Sequence, residues 1–284
     1  MTKTPQTSTP ALADLRKDID RIDEAMHRLL MERGEIIDRL IAVKGTQESG
    51  SAFRPAREAD MMRRLVQRHH GILPLDTAES IWRVIISTFT HVQAPFAVHA
   101  DLSAGDALMR DSARFHFGFT VPFVAHTGAS GVVAAVSESK GDLGLVPAFA
   151  APHAGAWWTA LEFESAPRII ARLPFIDRAD HPTALPVFVV SRVAPDAMVT
   201  ETEVWSVHVT GWGPDAGRAA SSLAALIAVP DPMLDDGTAL LISVPAGNKI
   251  ADVTAALAKA GAKVNSSALV GSHATRYTVP AAKK

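Results

Sequence analysis

The sequence predicts a multidomain protein in which an all-helical region is followed by an α/β region. Residues 10–94 carry many charges, few glycines and apolar residues at helical spacing, whereas the rest of the chain has short β-branched runs between glycines and prolines. The change occurs at Pro95, and a proline after a helical pattern disfavours its continuation. We therefore expect a helical domain at 10–94 and α/β regions at 95–200 and 201–284.

Composition excludes several classes of protein. A formal net charge of -2 provides no basic field for a nucleic-acid partner, and the absence of cysteine excludes disulfides, thiolate nucleophiles and cysteine-bound zinc. The N-terminus has no apolar leader, and no apolar run reaches about 18 residues. These features predict a cytoplasmic protein that has no membrane partner.

The first predicted helix runs from about Pro10 to Lys44. At 1.5 Å per residue it is about 50 Å long, which is more than one small domain can cover. Its apolar residues alternate in steps of three and four, which is a heptad stripe. They are Leu12, Leu15, Ile19, Ile22, Met26, Leu29, Ile36, Leu40 and Val43. A stripe of this length needs partner helices, so a homodimer is expected.

Two shorter helices are expected next. One spans about 57–70 and ends at Gly71 as a C-cap. The other begins at Asp76, with Glu79 three residues later in the capping-box pattern, and ends near Gln93. The apolar stripe of this third helix is formed by Trp82, Ile86 and Phe89.

Polar side chains interrupt these stripes. Arg33 occupies a stripe position four residues after Leu29, and Lys44 lies about three turns further on in a similar direction. Arg16 flanks the same face, and Gln93 continues the stripe of the third helix. A buried guanidinium needs an anion, and guanidinium groups bind carboxylates bidentately. The pattern therefore predicts a pocket for a small polyanion between helices.

Two structural roles without a ligand are also compatible with these residues. Arginine and lysine stems can lie along apolar surface while their charged ends reach water. The cations can also pair with Glu32, Glu35 or Asp38 on neighbouring helices. No sequence-adjacent nucleophile, metal-ligand cluster or phosphate loop accompanies the pocket, so catalysis there would depend on positioning and charge stabilisation, with no metal or cofactor.

Residues 12–93 resemble the all-α chorismate mutases, including the mutase domain of the bifunctional bacterial P-protein. The matching stretches are LRKDIDRIDEAMHRLLMERGEII, Lys44, RPAREAD and the helix that ends at Gln93. The resemblance implies an intertwined dimer of three-helix chains. It also implies the isomerisation of chorismate to prephenate in phenylalanine and tyrosine biosynthesis, with chorismate as the small-molecule partner.

The resemblance also implies a role for each site residue. Arg16 would reach into the site of the partner subunit and bind one carboxylate, and Arg33 would bind the other within its own chain. Lys44 and Gln93 would donate hydrogen bonds to the ether oxygen of the breaking bond. Glu58 occupies the position of an aspartate near the substrate hydroxyl.

The sequence departs from the family at Met61 and Met62, where an Arg-Glu pair is usual. A methionine near Met62 also occurs in the related isochorismate-pyruvate lyases, so Met62 is a candidate substrate contact and that lyase reaction is an alternative. Both methionines are equally compatible with filling the core on the second helix. A weakly catalytic regulatory protein is a third functional alternative.

The α/β region is expected to begin with a parallel βαβ unit, with strands at 122–126 and 142–147 around a helix at 128–141. It resembles the periplasmic-binding-protein-like fold of prephenate dehydratases. The loop after the second strand lacks the Glu-Asn-Ser of that family, and Pro186 and Val187 replace its Thr-Arg. This region is therefore expected to be non-catalytic.

The last region is expected to alternate strands and helices in a ferredoxin-like arrangement. Earlier strands are expected at 167–175 and 185–192, and helices near 215–228 and 249–260. The strand segments of the tail are VWSVHV, TALLISV, KVNSSALV and TRYTV. The tail resembles an ACT regulatory domain, which implies an aromatic amino acid effector, although the usual Gly-Ala-Leu and Glu-Ser-Arg-Pro motifs are absent.

Overall fold

The computed structural model describes residues 11–44, 52–150, 154–192 and 201–279. The chain divides into two compact units, residues 1–46 and residues 47–284. The first unit contains one long helix, and the second contains two further helices followed by a mixed α/β sheet. A helical N-terminal part followed by an α/β part is therefore confirmed.

Helix α1 spans Leu12–Lys44, close to its predicted bounds. Its apolar stripe is exposed in the single chain: Leu12, Ile19 and Leu29 keep 64%, 56% and 60% of their surface. Large apolar side chains on one helix face normally find a cover, because burying each contributes about 1.5–3 kcal/mol. Among the described residues of the first unit, no other element covers this stripe.

The second unit begins with α2 (Pro55–Arg68) and α3 (Leu75–Gln93). Helix α2 ends at Arg68 with His69 as its C-cap, so the predicted C-cap at Gly71 is wrong. The predicted capping box is also wrong, because Pro74 is the N-cap of α3 and no side chain caps the helix. Its second member, Glu79, is instead buried and bonded to His181.

Within the described residues, nine strands form one sheet in the order β2-β1-β3-β6-β4-β10-β7-β9-β8. Strands β5 and β11 form a separate two-stranded sheet. The strand bounds are β1 Val98–Asp101, β2 Phe123–His126, β3 Leu143–Pro147, β4 Arg168–Leu173, β5 Ile176–Asp177, β6 Val187–Ser191, β7 Thr202–Thr210, β8 Ala225–Pro230, β9 Gly237–Pro245, β10 Lys263–His273 and β11 Tyr277–Thr278. The sheet passes through both predicted α/β regions.

The expected βαβ unit forms with one change. Strands β2 and β3 are present, with α5 (Ala129–Glu138) between them, but both pair in parallel with β1 rather than with each other. Strand β1 and the following helix α4 (Asp106–Phe117) were not predicted from the sequence. Gly144 lets α5 pack closely on β3, since a Cβ there would lie 2.6 Å from a methyl group of Val132.

The tail has the element order β7-α6-β8-β9-α7-β10. The predicted helix at 215–228 is only half right: α6 spans Pro214–Ser221, a turn follows at 222–224, and strand β8 begins at Ala225. The run Ala-Leu-Ile-Ala-Val pairs antiparallel with β9, which overrides its helical spacing. Helix α7, Ile250–Lys259, agrees with its prediction.

The two faces of the tail sheet are covered differently. Helices α6 and α7 pack on the face that carries Val207, Val209 and Leu240. The opposite face packs against a 3-10 helix at Trp157–Leu161. On that face His208 lies between the Glu162 and Asp231 carboxylates; burial alone would lower its pKa, but the two carboxylates raise it.

Gly271 is the close approach between the tail and the rest of the sheet. It pairs with Ile169 of β4 at a φ of 154°. A Cβ at Gly271 would overlap the Ile169 backbone, so Gly271→Ala should lower the free energy of unfolding by about 3 kcal/mol or more. Urea unfolding followed by circular dichroism measures this change.

Gly217→Ala is the matched control. Gly217 lies within α6, and its Cβ would meet the Trp212 ring at an ordinary 3.5 Å, so alanine should be neutral or stabilising by up to about 1 kcal/mol. Equal effects of the two substitutions would contradict the close approach.

Candidate functional site

The predicted mutase residues divide between the two units. Arg16, Arg33 and Lys44 lie on α1, and the other three lie on α2 and α3 of the second unit: Glu58, Met62 and Gln93. Each residue lies on the helix that the sequence predicts for it. Their convergence on one substrate, and the role of each, stays a prediction.

On α1, Arg16 is exposed and Arg33 is half-buried, and Lys44 is the last residue of the helix. Arg16 and Arg33 are seventeen residues apart, which corresponds to about 26 Å along a straight helix. Arg33 and Lys44 are eleven residues apart, or about 16 Å. One small ligand therefore cannot be held by both arginines of a single chain.

Gln93 is the last residue of α3 and is half-buried. Its side-chain Nε2 donates a hydrogen bond of 3.0 Å to the carbonyl oxygen of Phe89 in the same helix. The amide has two N–H groups, so the second one remains available to donate to a substrate.

Glu58 and Arg83 form a buried ion pair between α2 and α3. Arg83 Nη1 donates to Glu58 Oε2 at 2.7 Å, with side-chain exposures of 0% and 5%. Arg83 Nη2 also donates to the His116 carbonyl of α4 at 3.3 Å, and the guanidinium lies 5.1 Å from the Phe175 ring centre. The carboxylate of Glu58 therefore accepts a hydrogen bond from Arg83 within the protein core. Its role toward a substrate stays a prediction.

Glu79 makes a second polar contact between α3 and the α/β region. Its Oε1 accepts a hydrogen bond of 3.2 Å from His181 Nε2, and its Oε2 lies 4.0 Å from the Arg178 guanidinium. The Thr183 backbone N–H donates to His181 Nδ1, which fixes Nε2 as the protonated nitrogen. Together with Arg83, these contacts attach α3 to residues 175–183.

Arg83 is not among the residues predicted from the sequence, although its spacing gives a signal. Glu79, Arg83 and Ile86 recur at steps of four and three, which places them on one helix face. The apolar stripe predicted for α3 contains Ile86 together with Trp82 and Phe89. Ile86 is buried, but Trp82 keeps 37% of its surface exposed.

The two methionines of α2 both contact the core. Met62 is fully buried in a cluster that includes Phe53 and Phe117, and Met61 packs against it while partly buried. The expectation that these side chains fill the core agrees with this environment. A contact between Met62 and substrate stays a prediction.

The described residues contain no group of three or more histidine, aspartate or glutamate side chains that could hold a metal ion. Among those same residues, no helix has the length and apolar character that a membrane crossing requires.

Removing Arg83 tests how much the buried pair contributes. Arg83→Met leaves the Glu58 carboxylate buried without a partner, so the free energy of unfolding should fall by about 3–5 kcal/mol. Arg63→Met is the matched control: its pair with Asp60 is exposed, and its loss should cost about 1 kcal/mol or less. Urea unfolding measures both.

The double variant Arg83→Met/Glu58→Gln should recover much of the loss, because it removes the unpaired charge. If Arg83→Met costs no more than Arg63→Met, the buried pair does not hold α2 and α3 together.

The N-terminal part of the chain is similar to known proteins. Residues 15–94 match the model of the family "Chorismate mutase type II", which confirms the resemblance expected for this region. A bifunctional chorismate mutase/prephenate dehydratase of Aquifex aeolicus is 29% identical over 140 residues, which are 48% of this chain and 38% of the relative. The corresponding protein of Neisseria gonorrhoeae is 32% identical over 124 residues, 44% of this chain and 32% of the relative.

The chain thus spans about a third of the length of these curated relatives. Among solved structures, prephenate dehydratase from Streptococcus mutans aligns with 64% of this chain and 98% of its own, at 14% identity and a TM-score of 0.40. That score is too low to support an argument. The family match therefore concerns residues 15–94, the part of the chain that carries the predicted cations and the carboxamide.

Proposed function

We propose that this protein is a chorismate mutase, which converts chorismate to prephenate in aromatic amino acid biosynthesis. The observation that carries the proposal is the family match over residues 15–94, which contain Arg16, Arg33, Lys44 and Gln93 at the spacings of the family. Chorismate has two carboxylates, and two guanidinium groups suit such a dianion.

The proposed mechanism uses charge and position. Arg33 and an Arg16 hold the two carboxylates so that the reacting carbons approach each other. Lys44 and Gln93 donate to the ether oxygen, which gains negative charge as its bond to carbon breaks. Because that charge is larger in the transition state than in the substrate, these donors lower the barrier rather than only tighten binding. No cofactor takes part.

The proposed active form is a homodimer. The distance of about 26 Å along α1 between Arg16 and Arg33 means that a site using both needs one arginine from each chain. The exposed stripe of α1 supplies an apolar surface for the second chain, and the charged residues beside the stripe suit a partner helix. An intertwined dimer satisfies both requirements.

The reaction is tested by following the loss of chorismate absorbance with the purified 284-residue chain. Arg33→Ala should lower kcat/KM by about 100-fold or more, because it removes two charge-assisted hydrogen bonds to a carboxylate. Arg28→Ala, an exposed arginine of the same helix, is the control and should retain activity. A lack of turnover by the unaltered chain, or equal activity of Arg33→Ala, would refute the proposal.

The dimer is tested by sedimentation equilibrium. Ile19→Glu puts a carboxylate in the centre of the stripe and should shift the chain to monomers, with loss of turnover. Arg28→Glu adds the same group away from the stripe and should leave the dimer intact. A monomeric unaltered chain that turns over chorismate would contradict the shared site.

Two alternative functions have specific support. Met62 in place of the usual glutamate favours isochorismate-pyruvate lyase activity, which would release fluorescent salicylate from isochorismate. The hydrogen bond that the Glu58 carboxylate accepts from Arg83 favours a weakly catalytic regulatory protein. Ligand-dependent melting without turnover would support that protein, and normal turnover would exclude it.

We also propose a sensory role for the tail at 201–284, following the expected domain division. The order β7-α6-β8-β9-α7-β10 and the antiparallel sheet order β10-β7-β9-β8 support a ferredoxin-like, ACT-like domain. An aromatic amino acid is the proposed effector. Turnover of chorismate with and without phenylalanine tests this role.

A further inference from the structure

We propose that a cavity in the α/β region binds a small monocarboxylate with an apolar body, and that Arg172 is its cation. The cavity has a volume of about 240 Å³ and lies between the segment after β3 and the edge strand β8. Arg172, on β4, contributes its lining cation. The inference does not depend on the proposed mutase activity, which concerns residues 15–94.

Arg172 is a half-buried guanidinium that lacks an anion. Within the described part of the chain it makes no hydrogen bond and no ion pair, and its Nε atom is fully buried without a partner. The guanidinium lies 5.9 Å from the centre of the Phe188 ring. A desolvated cation is costly unless it is paired, so the site favours an anionic ligand.

The surrounding charges leave Arg172 as the excess cation. Arg276, whose charge acts on Arg172, is paired with Asp177 at 3.0 Å. Burial lowers the pKa of His273 to about 4, so this histidine is neutral at pH 7. Burial, and secondly Arg276, also lower the pKa of Arg172, and Asp177, which forms its ion pair with Arg276, offsets this only in part.

The walls determine the rest of the ligand. They are formed by alanine, larger aliphatic and aromatic side chains: Ala148, Phe149, Ala150, Phe188, Leu241 and the β8 residues 225–228. A carboxylate can make paired hydrogen bonds with the guanidinium while an apolar body lies against these walls. A second carboxylate would find no second cation among the described lining residues and only the Ser243 hydroxyl as a donor side chain, so a dianion is disfavoured.

The cation does not come from the positions where the dehydratase resemblance places catalytic groups. Those positions are the loop after Pro147 and residues 186–187; Ala148, Phe149 and Ala150 of that loop form part of the cavity wall, whereas Arg172 lies on β4. Apart from Arg172, the described lining residues include no acid, base or nucleophile other than the Ser243 hydroxyl. The cavity is therefore assigned to binding.

Calorimetric titration of the 284-residue chain with phenylacetate tests the proposal. Phenylacetate should bind with a dissociation constant of about 1 mM or lower. Phenylacetamide, which lacks the charge, and acetate, which lacks the ring, should each bind at least about tenfold more weakly. Arg172→Met keeps the aliphatic stem and should weaken phenylacetate by the same factor.

Arg110→Met is the matched control, because Arg110 also lies over a phenylalanine ring, that of Phe123, but has a carboxylate partner in Asp106. It should leave phenylacetate binding unchanged. Ala228→Phe keeps Arg172 and fills the cavity, so it should abolish binding even if Arg172→Met fails to fold. Circular dichroism melting checks the fold of each variant.

Three results would each overturn the proposal. The first is an absence of phenylacetate binding, the second is equal binding of phenylacetamide or acetate, and the third is undiminished binding by folded Arg172→Met or Ala228→Phe. Loss of binding in both variants, with Arg110→Met unaffected, would establish the site.

Discussion

The arrangement of the second unit depends on a guanidinium that has no access to water. Arg83 is fully buried, and its two terminal nitrogens bond to Glu58 on α2 and to the His116 carbonyl on α4. Such a group is tolerated only if its partners stay in place. It therefore fixes two helices of the mutase-like region against the first helix of the α/β region, and Glu79 with His181 repeats the same principle nearby.

The first unit has the opposite property. Helix α1 carries the longest apolar stripe of the chain, and the stripe remains exposed. Arg16 and Arg33 are spaced too widely for one ligand, and the surface of α1 is too apolar for an isolated helix. A second chain meets both conditions, which is why the proposed catalysis and the proposed assembly are inseparable.

Periodicity and turn residues were sufficient to predict α1, α5, α7 and most strands, because each of these elements has a clear pattern that its tertiary environment does not override. Strand β8 was missed because the spacing of its apolar residues predicts a continuation of α6. Its pairing with β9, which the sequence does not show, makes it a strand. Arg83 was missed because its spacing from Glu79 and Ile86 shows which helix face it shares, but not that α4 covers that face. The same limit applies to the candidate site: the sequence indicates which side chains are unusual, but not that Glu58 is paired or that Arg172 is unpaired.

The sheet joins both α/β regions through β10, which lies between β4 and β7. A chain cut after β6 would therefore leave β4 as a bare border of the sheet, with backbone donors and acceptors that no longer meet β10. Exposed borders of this kind recruit strands from other molecules. The tail thus covers this border of the sheet independently of any ligand.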